Sequence, residues 1–359
     1  MTSRSAALEK QAANLTQAQN FYNEHIAKKP GTDFKIGRTR RFPRMPAVEF
    51  RCYQPKGEKA KAAIFFNHGF LAHPDMDMYH QLFQNLAERG YAVYVHTLPG
   101  HGSSGLMRNE SFNYDQSVAE SEAIIRHILT HEKVPVFITG HSAGAAIAAD
   151  GFFGTLQKAT ADKRKEIAGR TTLTLLSPAP DMMNLPLAKV AGSVAPFVAR
   201  HWGNEAAFRA LSTVSGITSV AMAGPSKRES EFIKWLGMKK NFIGLGGSGM
   251  LFVRDISTLD EIKKIPNMPK LVEKIKALSP KTRITFIRHS KSQLLDTVPA
   301  YENAPAIIRK ELERTVGADE KRLKDAVTNF EEWPYRHLVD ARFAKEYAEK
   351  LDQLLMDRR

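Results

Sequence analysis

Short apolar runs alternate with longer amphipathic stretches along the chain from residue 62 onwards. The predicted strands are 62–67, 91–97, 134–139 and 172–176, and the predicted helices between them are 78–89, 113–131 and 142–156. A strand that is followed by a helix and then by another strand is the repeating unit of parallel sheets. The pattern therefore predicts an α/β protein with a mostly parallel central sheet and helices on both faces.

The alternation stops near residue 181 and resumes at a strand predicted over 283–287. Further on, a helix is predicted at 304–315, a strand at 326–330 and a final helix at 340–356. The predicted domain organisation is an N-terminal helix (5–27) and edge hairpin (39–41 with 48–53) within residues 1–61, a first core segment at 62–181, a mainly helical cap insertion at 182–281, and a second core segment at 282–359.

Composition narrows the class of protein. The chain has 359 residues, of which 43% are hydrophobic, and this is enough to bury a large core without disulfides. Its single cysteine, Cys52, cannot form an intrachain disulfide. The N-terminal residues lack the apolar segment of a signal peptide, and the longest uncharged runs are too short to span a bilayer. We therefore expect a cytoplasmic protein without a membrane span.

The chain is strongly basic, with 52 Lys and Arg against 38 Asp and Glu, a formal net charge of +14. Residues 28–61 carry eleven basic and three acidic residues. Such a segment would suit a solvated surface, a peripheral contact with an anionic membrane, or an acidic partner. No zinc pattern or aromatic interleaving points to nucleic acid, so no nucleic-acid partner is expected.

A G-x-S-x-G pentapeptide occupies residues 140–144, between the predicted strand at 134–139 and the helix that follows it. A serine at such a junction is the setting of a nucleophile elbow. Flanking glycines remove side chains that would collide with a strained turn, and the small residues that follow allow the helix to pack closely on the sheet. Ser142 is therefore the candidate nucleophile.

A second loop, Asn67-His68-Gly69-Phe70, directly follows the predicted strand at 62–67. In a site with a nucleophile elbow, a backbone N–H from this loop and the N–H of the residue after the nucleophile form the oxyanion hole. The candidate donors are therefore the N–H groups of Phe70 and Ala143. His68 is expected to brace the loop rather than to act as a base.

Three motifs, FFNHGF (65–70), LPGHGSSG (98–105) and PVFITGHSAGAAIA (135–148), together resemble a known family. They are similar to those of α/β-hydrolase-fold serine hydrolases, most closely the monoacylglycerol lipase and lysophospholipase group, which is also described as serine aminopeptidase-like. The resemblance implies the α/β-hydrolase fold with a cap over the active site. Ala145 is a departure, because many members of the group have glycine at this position.

In the chain order of these hydrolases, the catalytic histidine follows the last strand. His337 fits this position, since it lies between the strand predicted at 326–330 and the helix predicted at 340–356. His289 is the competing candidate, but it lies at the end of the preceding strand, where a structural role is usual.

The acid is less well defined by the sequence. The resemblance places an Asp four or five residues after the strand at 283–287, where Ser292 and Gln293 stand instead. Asp296 lies slightly further on and is the first candidate for the acid, although the same residue would also suit the cap of a following helix. Asp181, after the strand at 172–176, is the second candidate, and the absence of a functional acid is the third.

These residues predict a serine hydrolase that cleaves a carboxylic ester through an acyl-enzyme. Ser142 would attack the carbonyl, His337 would accept its proton, and the acid would orient His337. No metal or organic cofactor is implied for this reaction. Because the predicted cap is rich in apolar residues, we expect a small-molecule, lipid-like acyl ester, of monoacylglycerol or lysophospholipid type, as substrate. The alternative is a non-catalytic protein of the same fold that binds a ligand or partner.

Overall fold

The computed structural model describes residues 32–36, 48–57, 59–70, 72–74, 76–101, 112–178, 242–245, 249–252, 261–290, 328–335 and 341–356. The helices predicted at 5–27 and 304–315 lie outside these residues. No helix within the described ranges is both long enough and apolar enough to cross a membrane.

An eight-stranded sheet forms the centre of the described structure. In chain order the strands are β1 (Thr32–Ile36), β2 (Val48–Tyr53), β3 (Ala62–Asn67), β4 (Tyr91–His96), β5 (Val136–His141), β6 (Thr171–Leu176), β7 (Phe242–Leu245), β8 (Gly249–Phe252), β9 (Arg283–His289) and β10 (Thr328–Trp333). The order in space is β1-β2-β4-β3-β5-β6-β9-β10, while β7 and β8 form a separate hairpin. Only the β1–β2 and β2–β4 pairings of the large sheet are antiparallel, so the predicted mostly parallel sheet is confirmed.

Helices cover both faces of this sheet, as predicted. In chain order they are α1 (Asp77–Glu88), α2 (Tyr114–His131), α3 (Ala143–Gln157), α4 (Ala161–Arg170), α5 (Met268–Leu278) and α6 (Ala344–Met356). Side chains of α2, α3 and α5 join one apolar cluster, whereas those of α1 and α6 join the other. The central strands β3, β4 and β5 are buried along their whole length because both faces are covered.

The local sequence explains where individual helices begin. Asn113 precedes α2, and its side-chain oxygen accepts a hydrogen bond from Gln116 N–H at 2.8 Å, which satisfies one of the donors left open at a helix start. The apolar face of α2 includes Ile124, Ile125 and Ile128, which are fully buried against the sheet. This face packs α2 on α3 and on strands β2, β3 and β5.

The structure differs from the sequence-based expectation in three places. The strand that pairs with β2 is β1 at Thr32–Ile36, upstream of the expected 39–41, which lies outside the described residues. Helix α4 was not predicted, because only Ile167 and Ala168 are buried and its sequence has little helical periodicity. The range expected to be a mainly helical insertion contains the β7–β8 hairpin, and it also contains α5, which packs on α3 in the core.

Candidate active site

Ser142 occupies a strained position between β5 and α3. Its backbone has φ 55° and ψ −125°. Residues other than glycine adopt this conformation at a cost of about 1–3 kcal/mol. Ser142 N–H donates a hydrogen bond to Leu176 C=O at 2.9 Å, and one strand further, Ser177 N–H donates to Ile287 C=O at 2.6 Å. Backbone hydrogen bonds at the carboxyl ends of β5, β6 and β9 therefore hold the strained serine in place.

The glycines of the pentapeptide are required by close backbone contacts. A Cβ on Gly140 would lie 2.4 Å from Gly144 C=O and 2.5 Å from the Ala145 Cα. Gly69, on the neighbouring loop, lies close to the nucleophile, since a Cβ on Gly69 would be 3.1 Å from the Ser142 Cβ. The turn and the loop after β3 are thus packed against each other at the nucleophile.

The two candidate oxyanion donors lie at the same edge of the sheet as Ser142. Phe70 ends the described part of the loop after β3, and its ring packs against His101 and Phe112 at centroid distances of 5.4 and 5.3 Å. Ala143 is buried and is the first residue of α3, so its N–H has no partner inside the helix. Both residues lie at the edge of the sheet where Ser142 lies, and their role as oxyanion donors stays a prediction.

His68 connects the loop after β3 to the loop after β4. Its Nε2 accepts a hydrogen bond from Leu98 N–H at 3.0 Å, so Nδ1 carries the proton and donates to Gly69 C=O at 2.9 Å. Burial, followed by the charge of His101, lowers the pKa of His68 well below its usual range. Because both ring nitrogens bind backbone atoms, His68 braces the loop, which is the role that its sequence position suggested.

A buried polar network holds Asn67, the residue before His68. His96 lies between Asn67 Oδ1, at 3.1 Å, and Glu120 Oε2, at 2.8 Å. The amide of Asn67 donates to Ser121 Oγ at 2.9 Å, and Gln116 donates to the second oxygen of Glu120 at 2.9 Å. The sequence analysis did not identify this network, because its members are spread over β3, β4 and α2. The one signal in the sequence is the presence of polar residues within stretches that are otherwise apolar.

A second group of polar side chains lies under the nucleophile on the other face of the sheet. His141, next to Ser142, is hydrogen-bonded through Nδ1 to Tyr79 Oη at 2.7 Å, and its ring stacks on His289 at 5.9 Å. His289 is buried and its Nε2 is 3.0 Å from Tyr347 Oη. These contacts place the competing histidine, His289, in an aromatic cluster beneath the elbow. Tyr79 and Tyr347 were missed because nothing in the linear sequence connects them to the pentapeptide.

The candidate base His337 and the candidate acids Asp296 and Asp181 lie outside the described residues. The ends of the strands that precede them are described. Ser290 N–H donates to Trp333 C=O at 2.9 Å, which joins the carboxyl ends of β9 and β10. Because parallel strands end at one edge of a sheet, the segments after β6, β9 and β10 all begin at the edge where Ser142 lies.

The described ranges contain no group of three or more His, Cys, Asp or Glu side chains that could hold a metal ion. The chemistry available at the described part of the site is that of a strained, partly exposed serine hydroxyl beside backbone N–H groups. This arrangement suits nucleophilic attack on a carbonyl carbon, followed by stabilisation of the resulting oxyanion.

Comparison with known proteins agrees with this geometry. Residues 58–206 match the family described as serine aminopeptidase, S33. A monoglyceride lipase homolog of Monkeypox virus is 31% identical over 144 residues, which cover 38% of this chain and 47% of the viral protein. The matched stretches span about half, or less, of the length of the curated relatives.

Two solved structures are similar over most of the chain. A thermostable carboxyl esterase from Bacillus coagulans aligns with a TM-score of 0.56 at 17% identity, covering 92% of this chain and 99% of the esterase. A soluble variant of monoglyceride lipase from Saccharomyces cerevisiae aligns with a TM-score of 0.54 at 14% identity, covering 89% of this chain and 94% of the lipase. At these identities the similarity establishes the fold alone.

Proposed function

This chain has the α/β-hydrolase fold and resembles the monoglyceride lipase group, and on that premise we propose that it is a serine hydrolase that cleaves a carboxylic ester through an acyl-enzyme. The observation that carries the proposal is the backbone of Ser142, whose positive φ is held between two enclosed glycines at a strand-to-helix turn. Strain of this kind persists where the surroundings enforce it, and it exposes the serine hydroxyl at the end of the sheet.

The proposed reaction assigns a role to each residue of the site. Ser142 Oγ attacks the ester carbonyl, and His337 accepts the serine proton and passes it to the leaving alcohol. Asp296, with Asp181 as the alternative, orients His337. The N–H groups of Phe70 and Ala143 stabilise the tetrahedral oxyanion, a contribution of about 10²–10³ in rate per donor. Water then releases the acyl group.

We propose a lipid-like acyl ester of the monoacylglycerol or lysophospholipid type as the substrate. Relatives named as monoglyceride lipases support this class, as does the apolar composition of residues 182–281. A panel of monoacylglycerols, lysophospholipids, short p-nitrophenyl esters and peptide amides tests it. Turnover of the amides without turnover of any ester would overturn the assignment.

Covalent labelling tests the nucleophile. A fluorophosphonate probe should label the protein, and peptide mass spectrometry should find the adduct on Ser142. Ser142→Ala should abolish labelling, whereas Ser290→Ala should retain it, because Ser290 is also partly exposed at this edge of the sheet but lies in an ordinary turn after β9. Folded wild-type protein that resists the probe would contradict the proposal.

A non-catalytic binding protein of the same fold is the second candidate. The observation in its favour is the presence of Ser292 and Gln293 where the family carries an acid. It predicts that Ser142 resists the probe in folded protein and that neither Asp296→Asn nor Asp181→Asn changes any measurable turnover.

A further inference from the structure

Two histidines lie side by side at the end of α2 and take no part in the proposed reaction. His127 and His131 are four residues apart, so they lie on the same face of the helix. Their ring centroids are 4.2 Å apart and the ring planes are inclined by 32°. His131 is exposed and His127 is partly exposed, so solvent ions have access to the pair.

The hydrogen bonds of His131 define which nitrogen is available. Its Nδ1 is 2.8 Å from His127 C=O, and because a carbonyl can only accept, Nδ1 carries the proton. The lone pair of the neutral ring is therefore on Nε2, at the outer end of the side chain. A ligating histidine almost always has this arrangement, with one nitrogen on the metal and the other donating to a carbonyl or carboxylate.

His127 is held in position by its neighbours. Its ring packs against Phe50 of β2 at a centroid distance of 5.5 Å, which restricts rotation of the side chain. Burial, followed by the proximity of His131, lowers the pKa of His127, which favours the neutral form of the ring that a metal binds.

Charged groups of both signs surround the pair. His131 is in the last turn of α2 and Glu132 follows it, and the Glu132 carboxylate accepts a hydrogen bond from Tyr94 Oη. The Arg170 guanidinium donates to Glu132 C=O at 2.7 Å, and Lys133 Nζ donates to Thr130 C=O at 3.3 Å, so cations already bind the carbonyls at the helix end. The proposed site therefore rests on the two imidazole rings and not on the charge of the helix end.

We propose that His127 and His131 form a surface site for a divalent transition-metal ion of the Zn²⁺, Ni²⁺ or Cu²⁺ type, with water completing the coordination. Imidazole nitrogen suits these ions, whereas Mg²⁺ and Ca²⁺ prefer oxygen. The end of α2 leads into β5 at the edge of the sheet opposite to Ser142. The site is therefore separate from the proposed reaction.

Calorimetric titration of the tag-free full-length protein with ZnCl₂ at pH 7.5 tests the site. His131→Ala and His127→Gln should each weaken the binding by at least about tenfold, since even indirect partners of a ligand contribute that much. His80→Gln is the matched control, because His80 is a partly buried histidine on α1 that is bound to Tyr53 Oη, and it should bind Zn²⁺ like wild type. MgCl₂ should give no binding signal.

Imidazole nitrogen NMR identifies the ligands directly. Addition of Zn²⁺ should shift the Nε2 resonances of His127 and His131, and lowering the pH to 5 should reverse the shift because protons compete for the rings. Equal Zn²⁺ binding by the His131→Ala and wild-type proteins, or shifts confined to other histidines, would overturn the proposal. Fluorophosphonate labelling should be unchanged in His131→Ala, so failure of the metal site is distinguishable from failure of the proposed enzymatic function.

Discussion

Gly144 is in contact with the backbone of His68 so closely that a Cβ on Gly144 would lie 2.1 Å from the His68 carbonyl oxygen. Helix α3 thus begins directly against the loop that supplies a candidate oxyanion donor. Because the clash involves backbone rather than a flexible side chain, no rotamer change can relieve it.

Gly144→Ala should destabilise the protein by roughly 3 kcal/mol, since either the helix or the loop after β3 must move. Gly169→Ala is the matched control, because Gly169 lies in α4 and its added Cβ would meet no atom within 4 Å. That variant should gain about 0.5–1 kcal/mol from the better helix propensity of alanine. Urea unfolding measures both values, and equal effects of the two substitutions would contradict the packing argument.

Ser142→Gly should be more stable than Ser142→Ala by about 1 kcal/mol, because glycine tolerates the positive φ at this position and alanine does not. Both variants should lose esterase turnover by at least about 10⁴-fold as the nucleophile is removed. Thermal unfolding of the two inactive variants side by side tests the strain without reference to activity. If the Ser142→Ala variant were more stable than the Ser142→Gly variant, the turn would not be strained.

Asp296→Asn should lower turnover by about 10⁴-fold with little change in stability, because an amide favours the wrong tautomer of His337. Asp181→Asn should leave turnover near wild type. Steady-state kinetics on one ester, together with urea unfolding of each variant, distinguishes the two carboxylates. The reverse result would assign the acid to Asp181.

His101 makes the folded protein sensitive to acid. Burial lowers the pKa of His101 from 6.5 to about 3. Between those values the unfolded state binds a proton that the folded state excludes, so stability falls as pH falls through this window, by up to about 1.4 kcal/mol per pH unit. His101→Gln should lose this contribution, and urea unfolding at pH 7, 6 and 5 measures the slope. An unchanged slope would exclude His101 as its source.

A peripheral contact of the basic segment 28–61 with anionic membranes is one of its three candidate roles, beside a solvated surface and an acidic partner, and it makes a distinct prediction. Sedimentation with phosphatidylserine vesicles should detect binding that falls with added salt, and neutral vesicles should give none. Changing Arg38, Arg40, Arg41 and Arg44 to Gln should weaken it by at least about a hundredfold, at ~1 kcal/mol for each charge. The control changes Lys163, Arg164 and Lys165 of α4 instead. Equal weakening by both sets would indicate an effect of overall charge, contrary to this expectation.

Periodicity was sufficient for the core of the fold. The strands β3, β4, β5 and β6 lie within two residues of their predicted ends, because residues buried on both faces give continuous apolar runs. The α/β-hydrolase fold predicted from the motifs is confirmed by the structural similarity. Strand β1 could not be assigned, since its pairing with β2 is a long-range contact that local patterns do not encode. Helix α5 carries local signals, a cap at Asn267 and an amphipathic pattern, but these signals do not show that it packs on α3.

The sequence predicted the parts of the site whose residues are adjacent along the chain. The pentapeptide around Ser142 and the loop at Phe70 are local, and the sequence placed both at the ends of strands. The contact between Tyr79 and His141 joins residues 62 positions apart, and that between His96 and Glu120 links β4 to α2. These hydrogen-bond partners come together only when the chain folds. A sequence motif therefore identifies the nucleophile but not the side chains that hold its loop and turn in place.

The backbone hydrogen bonds of Ser142 to Leu176 and of Ser177 to Ile287 have a consequence for protein engineering. They fasten the nucleophile to β6 and β9 through main-chain atoms, which are present whatever side chains these strands carry. The side chains of Leu176 and Ile287 could therefore be exchanged between homologues without removing the hydrogen bonds that hold the serine. The ends of β6 and β9 are thus places where the sequence can vary, in the laboratory or in evolution, while the turn keeps its geometry.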